Sequence, residues 1–151
     1  MPATSVLETA EAELLAVLQA QAALPGSPMA GVRLQIGDPG ANLGREHVWL
    51  PENVETEQRW ETTGIGAQAR REEFDLPVLV FIEKSGDDFE AVRARAQALA
   101  EEVEKAVRGN PTLQGSVWDS WVRRIEHATG ATESTRIDLA TVTVFCRAFL
   151  S

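Results

Sequence analysis

Asp75-Leu76-Pro77-Val78-Leu79-Val80-Phe81-Ile82 holds the longest apolar run in the chain, and it limits the fold more than any other stretch. The run is far short of the roughly 20 residues a membrane helix needs, and it matches a strand buried on both faces. Ser85-Gly86-Asp87-Asp88 then turns the chain. From Phe89 the apolar residues recur at steps of three and four: Phe89, Val92, Ala96, Leu99, Val103 and Val107. That spacing puts them on one side of a helix able to fold back onto the strand. Asp87 with Glu90 three residues on has the form of a capping box, and Arg108-Gly109-Asn110-Pro111 is a stop signal. A strand, a turn and an amphipathic helix fix a fold class; they name no reaction.

The flanking segments extend the same logic. Ser5-Val6-Leu7-Glu8 is a second capping-box pattern, and Leu7, Ala10, Leu14, Leu15, Leu18 and Ala22 form an apolar stripe behind it. This predicts a helix from about Ser5 to Ala23, ended by Pro25-Gly26. Val32–Ile36 alternates with period two and reads as a half-buried strand, while Gly37–Gly44 is dense in turn formers and reads as a loop. Arg45–Leu50 and Val54–Trp60 read as two short strands, the second with a charged face that suits a sheet edge. Thr62–Ala69 is a connection of small residues leading into Arg70-Arg71-Glu72-Glu73-Phe74, the polar opening of the long strand. Val117–His127 and Ile137–Phe149 form a closing antiparallel hairpin. The predicted fold is α+β: one domain, with two amphipathic helices packed on a mostly antiparallel sheet.

Charge and cysteine usage narrow the function classes. A formal net charge of -9, without a Lys/Arg cluster, opposes duplex nucleic-acid binding. Arg70-Arg71 and Arg123-Arg124 are pairs with glutamates close by, which reads as solvated strand flank. Cys146 is alone, so no intrachain disulfide forms, and its apolar strand setting suits a small buried hydrophobe. Met1-Pro2-Ala3-Thr4-Ser5 lacks the basic-then-apolar form of a signal peptide, an expectation of a cytoplasm-like compartment.

The search for chemistry returns little. Gly64-Ile65-Gly66-Ala67-Gln68-Ala69 matches a loose dinucleotide pattern, but a strand rather than a helix follows it. His47 and His127 each lack a second ligand at metal spacing, so neither a metal nor a cofactor is expected. A small enzyme would have to gather a polar cluster around one of them. Glu72-Glu73, Asp87-Asp88 and Glu101-Glu102 read as strand flank, helix cap and solvated helix face. Four tryptophans without a tyrosine are unusual. Trp118 and Trp121 are separated by an odd number, so a regular strand points them to opposite faces and leaves one for a subunit contact.

The capped first helix, the early strands with their Gly/Pro loop, the Arg-Arg-Glu-Glu-Phe-Asp-Leu-Pro-Val strand, the Asp-Asp-Phe-Glu helix start and the closing hairpin together resemble a family. That family is the tail terminator (minor tail or tail-to-head joining) proteins of long-tailed bacteriophages, and Arg71–Arg108 carries most of the likeness. The resemblance implies a non-catalytic virion protein forming a ring, usually of six copies, that caps the tail tube and ends its polymerisation. Its partners would be other copies, the tail tube protein and the head–tail connector, with DNA crossing an acidic lumen without sequence-specific binding and no membrane involved. Candidate ring contacts are Trp118, Trp121, Arg70, Arg71, Asp38, Asn42 and Arg45, with loops Gly37–Gly44 and Thr62–Ala69 facing neighbouring rings. Alternatives are another neck, tail-completion or tube protein, a small cytoplasmic enzyme, or an acidic binding module.

Overall fold

A ladder of sixteen residue pairs, from Arg70↔Leu150 to Ser85↔Thr135, joins the two longest strands of the protein. The structure is a computed structural model and describes residues 5–42, 44–52, 54–62 and 68–150. In chain order the elements are α1 (Leu7–Ala22), β1 (Arg33–Ile36), β2 (Glu46–Leu50), β3 (Thr56–Thr62), β4 (Gln68–Ser85), α2 (Phe89–Gly109), β5 (Asp119–Ala131) and β6 (Thr135–Leu150). They form the expected α+β fold, one sheet of order β1-β2-β4-β6-β5, with β3 pairing β4 beside β2. Every described pair is antiparallel except β1 with β2.

Both helices lie on one face of this sheet. Phe74, Leu76, Val78, Val80 and Ile82 of β4 are buried beneath them, as are Ala140, Val142, Val144, Cys146 and Ala148 of β6. Val92, Ala96, Leu99, Ala100, Val103, Ala106 and Val107 of α2 meet them, and Ala10, Leu14, Val17 and Leu18 of α1 complete one apolar cluster. The expectation that β4 is buried on both faces is therefore corrected. Its alternate residues Arg71, Glu73, Asp75, Pro77 and Leu79 are only half-buried, with no helix above them. The apolar run is continuous because Leu79 and Phe81 meet Trp49 and His47 of β2 on that second face. Phe89, expected in the core, is 41 % exposed at the first turn of α2.

The predicted caps are also revised. Ser5 and Glu8 do not form a capping box. The side chain of Glu72, 0 % exposed on β4, accepts from the Val6 N–H at 2.9 Å and the Ser5 hydroxyl at 3.2 Å. A buried carboxylate thus meets the positive end of α1 from 66 residues away. Glu72 is a core cap, not a strand flank. For α2 the cap is Asp88, whose carboxylate accepts from the Ala91 N–H at 3.0 Å, one residue beyond the predicted Asp87. Glu102, expected on a solvated helix face, is 5 % exposed and accepts from Gln21 Nε2 of α1 at 2.7 Å and from Lys105 Nζ at 3.1 Å.

Beyond α2, Leu113, Gln114 and Gly115 all have positive φ, at 45°, 59° and 89°. Non-glycine residues adopt this region at a cost. Leu113 is fully buried there, and the turn delivers Trp118 to the sheet, where its N–H donates to the Arg147 carbonyl at 2.9 Å.

Two outcomes test these helix anchors. Glu72→Ala should cost about 1–3 kcal/mol by stripping the acceptor from Val6 and Ser5, with Glu72→Gln, which keeps one acceptor oxygen, recovering part of it in thermal melts. At Glu102 the Gln21 hydrogen bond holds the carboxyl below its ordinary value of 4.5 despite burial. A depressed folded value stabilises above the unfolded value and is lost as pH falls through the folded one. Melting temperature should therefore fall less from about pH 7 to about pH 3 in Glu102→Gln than in the wild type.

Candidate functional site

The face without helices is where side-chain chemistry accumulates. On β6 it presents Leu139, Thr141, Thr143, Phe145, Arg147 and Phe149, and on β4 Arg71, Glu73, Asp75 and Pro77. The β5–β6 register shifts between Val122 and Arg124. A bulge of this kind gives two residues where the partner strand has one. Arg123 and Arg124 consequently both reach the open face, contrary to their reading as strand flank. Arg123 lies 3.4 Å from Asp75 and over the Phe145 ring at 5.5 Å, while Arg124 pairs with Glu126 at 2.5 Å.

An aromatic and cationic stack runs along the β5 side. Trp118 packs on Phe149 with centroids 5.0 Å apart, and Trp121 on Phe145 at 4.8 Å. The Arg147 guanidinium sits between the indoles, 4.3 Å from Trp118 and 5.6 Å from Trp121. Asp119 fixes it there by two hydrogen bonds, from Nε at 2.8 Å and Nη2 at 2.7 Å. Paired, planar and stacked, Arg147 acts as a rigid spacer rather than a mobile charge. Trp118, Trp121 and Phe149 are nevertheless 53 %, 44 % and 45 % exposed. Three large apolar side chains exposed together on one face make a patch rather than scattered single residues. The expectation of opposite faces for the two tryptophans fails because β5 begins at Asp119, so strand parity does not govern Trp118.

Beside the stack runs a groove of about 890 Å³. Glu55, Glu57, Glu73 and Asp75 line one wall, Arg123 and Arg124 the other, with Thr141, Thr143 and Pro77 between. Neither the groove nor the bulge is written in local sequence; each arises from strand pairing.

Of the remaining predicted contacts, only Arg71 is placed on this face among the described side chains. Arg71 is on the open face, paired with Glu73 at 2.9 Å and in register with Phe149. Asp38 and Arg45 are exposed beside β1 and β2, at the other side of the sheet. The Asp38 carboxylate accepts from the Gly40 N–H at 2.7 Å and shapes a short 3-10 turn at Gly40–Asn42. The side chains of Asn42 and Arg70, Leu43 of the first loop and residues 63–67 of the second lie outside the described residues.

The two histidines occupy opposite faces. His47, 0 % exposed, has Nε2 2.9 Å from Gln35 Oε1 and Nδ1 3.4 Å from the Gly44 N–H, and its register with Phe81 places it away from the helices. Burial, reinforced by Arg33, pushes its pKa down, favouring the neutral ring. His127 is under α2, with Nδ1 2.6 Å from Asp138 Oδ2 and Nε2 2.8 Å from Gln97 Oε1. Both ring nitrogens of His127 are engaged, Nδ1 with β6 and Nε2 with α2, so the ring ties β5 to each. Among the described residues no group of three metal-ligating side chains occurs. Cys146 is buried, and desolvation, ahead of Asp75 and Asp119, pushes its thiol up to about 12. It is packing material. No described helix is long and apolar enough to cross a membrane.

No protein-family model and no curated protein matches the chain. Among solved structures, a chain described as "Virion of native gene transfer agent (GTA) particle" has the same fold, with a TM-score of 0.56 and 18% identity. The likeness spans 89% of this chain and 95% of that one. At this identity the shared property is the arrangement of helices and sheet.

Proposed function

We propose that this chain is a structural protein of a phage-like virion, specifically a tail terminator. Copies of it would form a ring that caps the tail tube, ends its growth and joins it to the head connector, without catalysis. The observation that carries this reading is the nearly end-to-end likeness to a chain of a gene transfer agent virion. The tail-terminator resemblance of Arg71–Arg108 supports the finer role. The open face supports it independently: exposed indoles beside a salt-bridged arginine suit burial against another protein. The acidic balance, -9 overall, suits a passage that DNA crosses without adhering. A different neck or tube position in the particle is the second reading, favoured by the likeness being to a virion as a whole.

Tail tubes assembled in the presence of this protein should have one narrow length distribution by electron microscopy, and tubes assembled without it should overgrow and fail to join heads. Equal lengths with and without it would end the terminator reading. The double substitution Trp118→Ala/Trp121→Ala should cost about 1–2 kcal/mol of fold stability, since both indoles are half-exposed. It should weaken self-association by roughly 30-fold or more, as expected of central aromatic contacts. Light scattering on the folded variant reads the difference.

A further inference from the structure

The groove on the helix-free face crosses four neighbouring strands, and its charge is uneven along the way. It runs from Glu57 of β3 past Glu73 and Asp75 of β4, then over Thr143 and Phe145 of β6 to Arg124 of β5. We propose that this groove receives an extended segment of a different virion protein, one carrying Lys or Arg, with the cationic group set among Glu55, Glu57 and Asp75. The inference deepens the reading of the chain as a virion protein, on which it rests, by giving the sign and shape of one partner.

Among the described side chains, the cations of this face are already committed. Arg71 pairs with Glu73 at 2.9 Å, Arg123 stands 3.4 Å from Asp75, Arg124 pairs with Glu126 at 2.5 Å, and Asp119 fixes Arg147. Each guanidinium is matched by one carboxylate, so the β5 side of the groove is close to neutral. Glu55 belongs to none of these pairs. Glu57 stands directly opposite Glu73 in the β3–β4 ladder, and like charges so placed destabilise a strand pair. Asp75 keeps Oδ1 buried without a hydrogen-bond partner. It follows Phe74 along β4 as Glu55 precedes Thr56, and Thr56 and Phe74 are ladder partners, which brings the two acids to one level. Carboxylates are thus in excess at the β3 side, and one acceptor there is unmet.

The sign and spread of these acids select the occupant. Among the described residues no three ligating side chains converge on one point, so the excess suits an ammonium or guanidinium on a long side chain rather than a metal ion. Nucleic acid has the wrong sign. A second copy would bring a net charge of -9 towards a side already rich in acid, so attraction favours a partner of opposite charge.

The floor sets the shape. Pairing of β2 with β4 ends at Leu79 and pairing of β3 with β4 ends at Phe74, so residues 75–78 have no partner strand on that flank among the described residues. Pro77 sits in this gap, where its missing N–H forfeits no ladder bond. With Thr143 and Phe145 it gives the groove a low, mostly uncharged floor. Four strands are crossed by three spacings of about 4.8 Å, about 14 Å in all, which about four extended residues span. The cation lies at the β3 end of such a segment, and small or apolar side chains lie over Pro77 and Phe145.

The test uses the full chain and a fluorescein-labelled peptide with two alternate lysines followed by valine and alanine, its ends acetylated and amidated. Fluorescence anisotropy at low ionic strength reads binding, and circular dichroism confirms the fold. The wild type should bind the peptide, less tightly as salt screens the charges. Glu55→Gln/Asp75→Asn should weaken binding by about fivefold or more. Glu8→Gln/Glu13→Gln, which removes as much charge from α1, should change it by less than about twofold. The same peptide with norleucine in place of lysine should not bind. No binding by the wild type, an equal loss in the α1 variant, or equal displacement by spermidine at the same charge concentration overturns the proposal. Tubes still capped at one length by a chain that ignores the peptide remove the groove and leave the terminator reading. A chain that binds the peptide at this groove but leaves tube length unaltered removes the terminator reading and supports the groove.

Discussion

The ladder between β4 and β6 sets the parity of the whole molecule. Sixteen successive pairs lock two long strands so that Phe74, Leu76, Val78, Val80 and Ile82 share a face with Ala140, Val142, Val144, Cys146 and Ala148. A slip of one residue would turn every one of them to the other side. Since α1 and α2 bury that face, everything of opposite parity is left without a helix. The exposed aromatic stack and the charged groove are consequences of this one-sided cover.

Carboxylates tie the helices to the sheet and to each other. Glu72 takes the first N–H groups of α1, and Glu102 takes Gln21 near its end. A third acid, Glu46 at the start of β2, accepts two hydrogen bonds from Arg95 of α2, at 2.6 and 3.1 Å. Arg95 also donates to the Pro28 carbonyl at 2.7 Å, joining the turn after α1 to the same point. The Arg95 hydrogen bond holds the Glu46 carboxyl below its usual range. Placing these acids where a helix end or guanidinium meets them makes burial of polar groups compatible with a stable core. On the open face Asp119 fixes the Arg147 guanidinium between the two indoles.

How much of this was legible in sequence follows from how local each determinant is. The β4 run, the α2 stripe and the β5–β6 hairpin are periodic patterns, and each element formed where its pattern lies. The one-sidedness of β4 was hidden because Leu79 and Phe81 are apolar for a different reason, contact with Trp49 and His47. The true cap of α1 was hidden because Glu72 acts across 66 residues, while the nearby Ser5–Glu8 pattern offered a local decoy. Trp118 and Trp121 were recognised as contact candidates, but their shared side depends on a strand starting at Asp119. Arg123 and Arg124 looked like ordinary surface charge, since a bulge exists only once β6 is paired. Asp38 and Arg45 are grouped with Trp118 and Trp121 only by the resemblance, and the fold places those two at the other side of the sheet.

The central claim, a proposal, is that the helix-free side of the sheet, with Trp118 and Trp121 exposed on it, is an assembly surface. Amide hydrogen exchange, compared between dilute and assembled protein, tests it most directly. The account predicts that the outward amides of β5, the strand that carries Trp121 and follows Trp118, slow on assembly, while the solvent-facing amides at the ends of α2 exchange unchanged. Assembly that protects the outer faces of α1 and α2 and leaves β5 exchanging freely would contradict it.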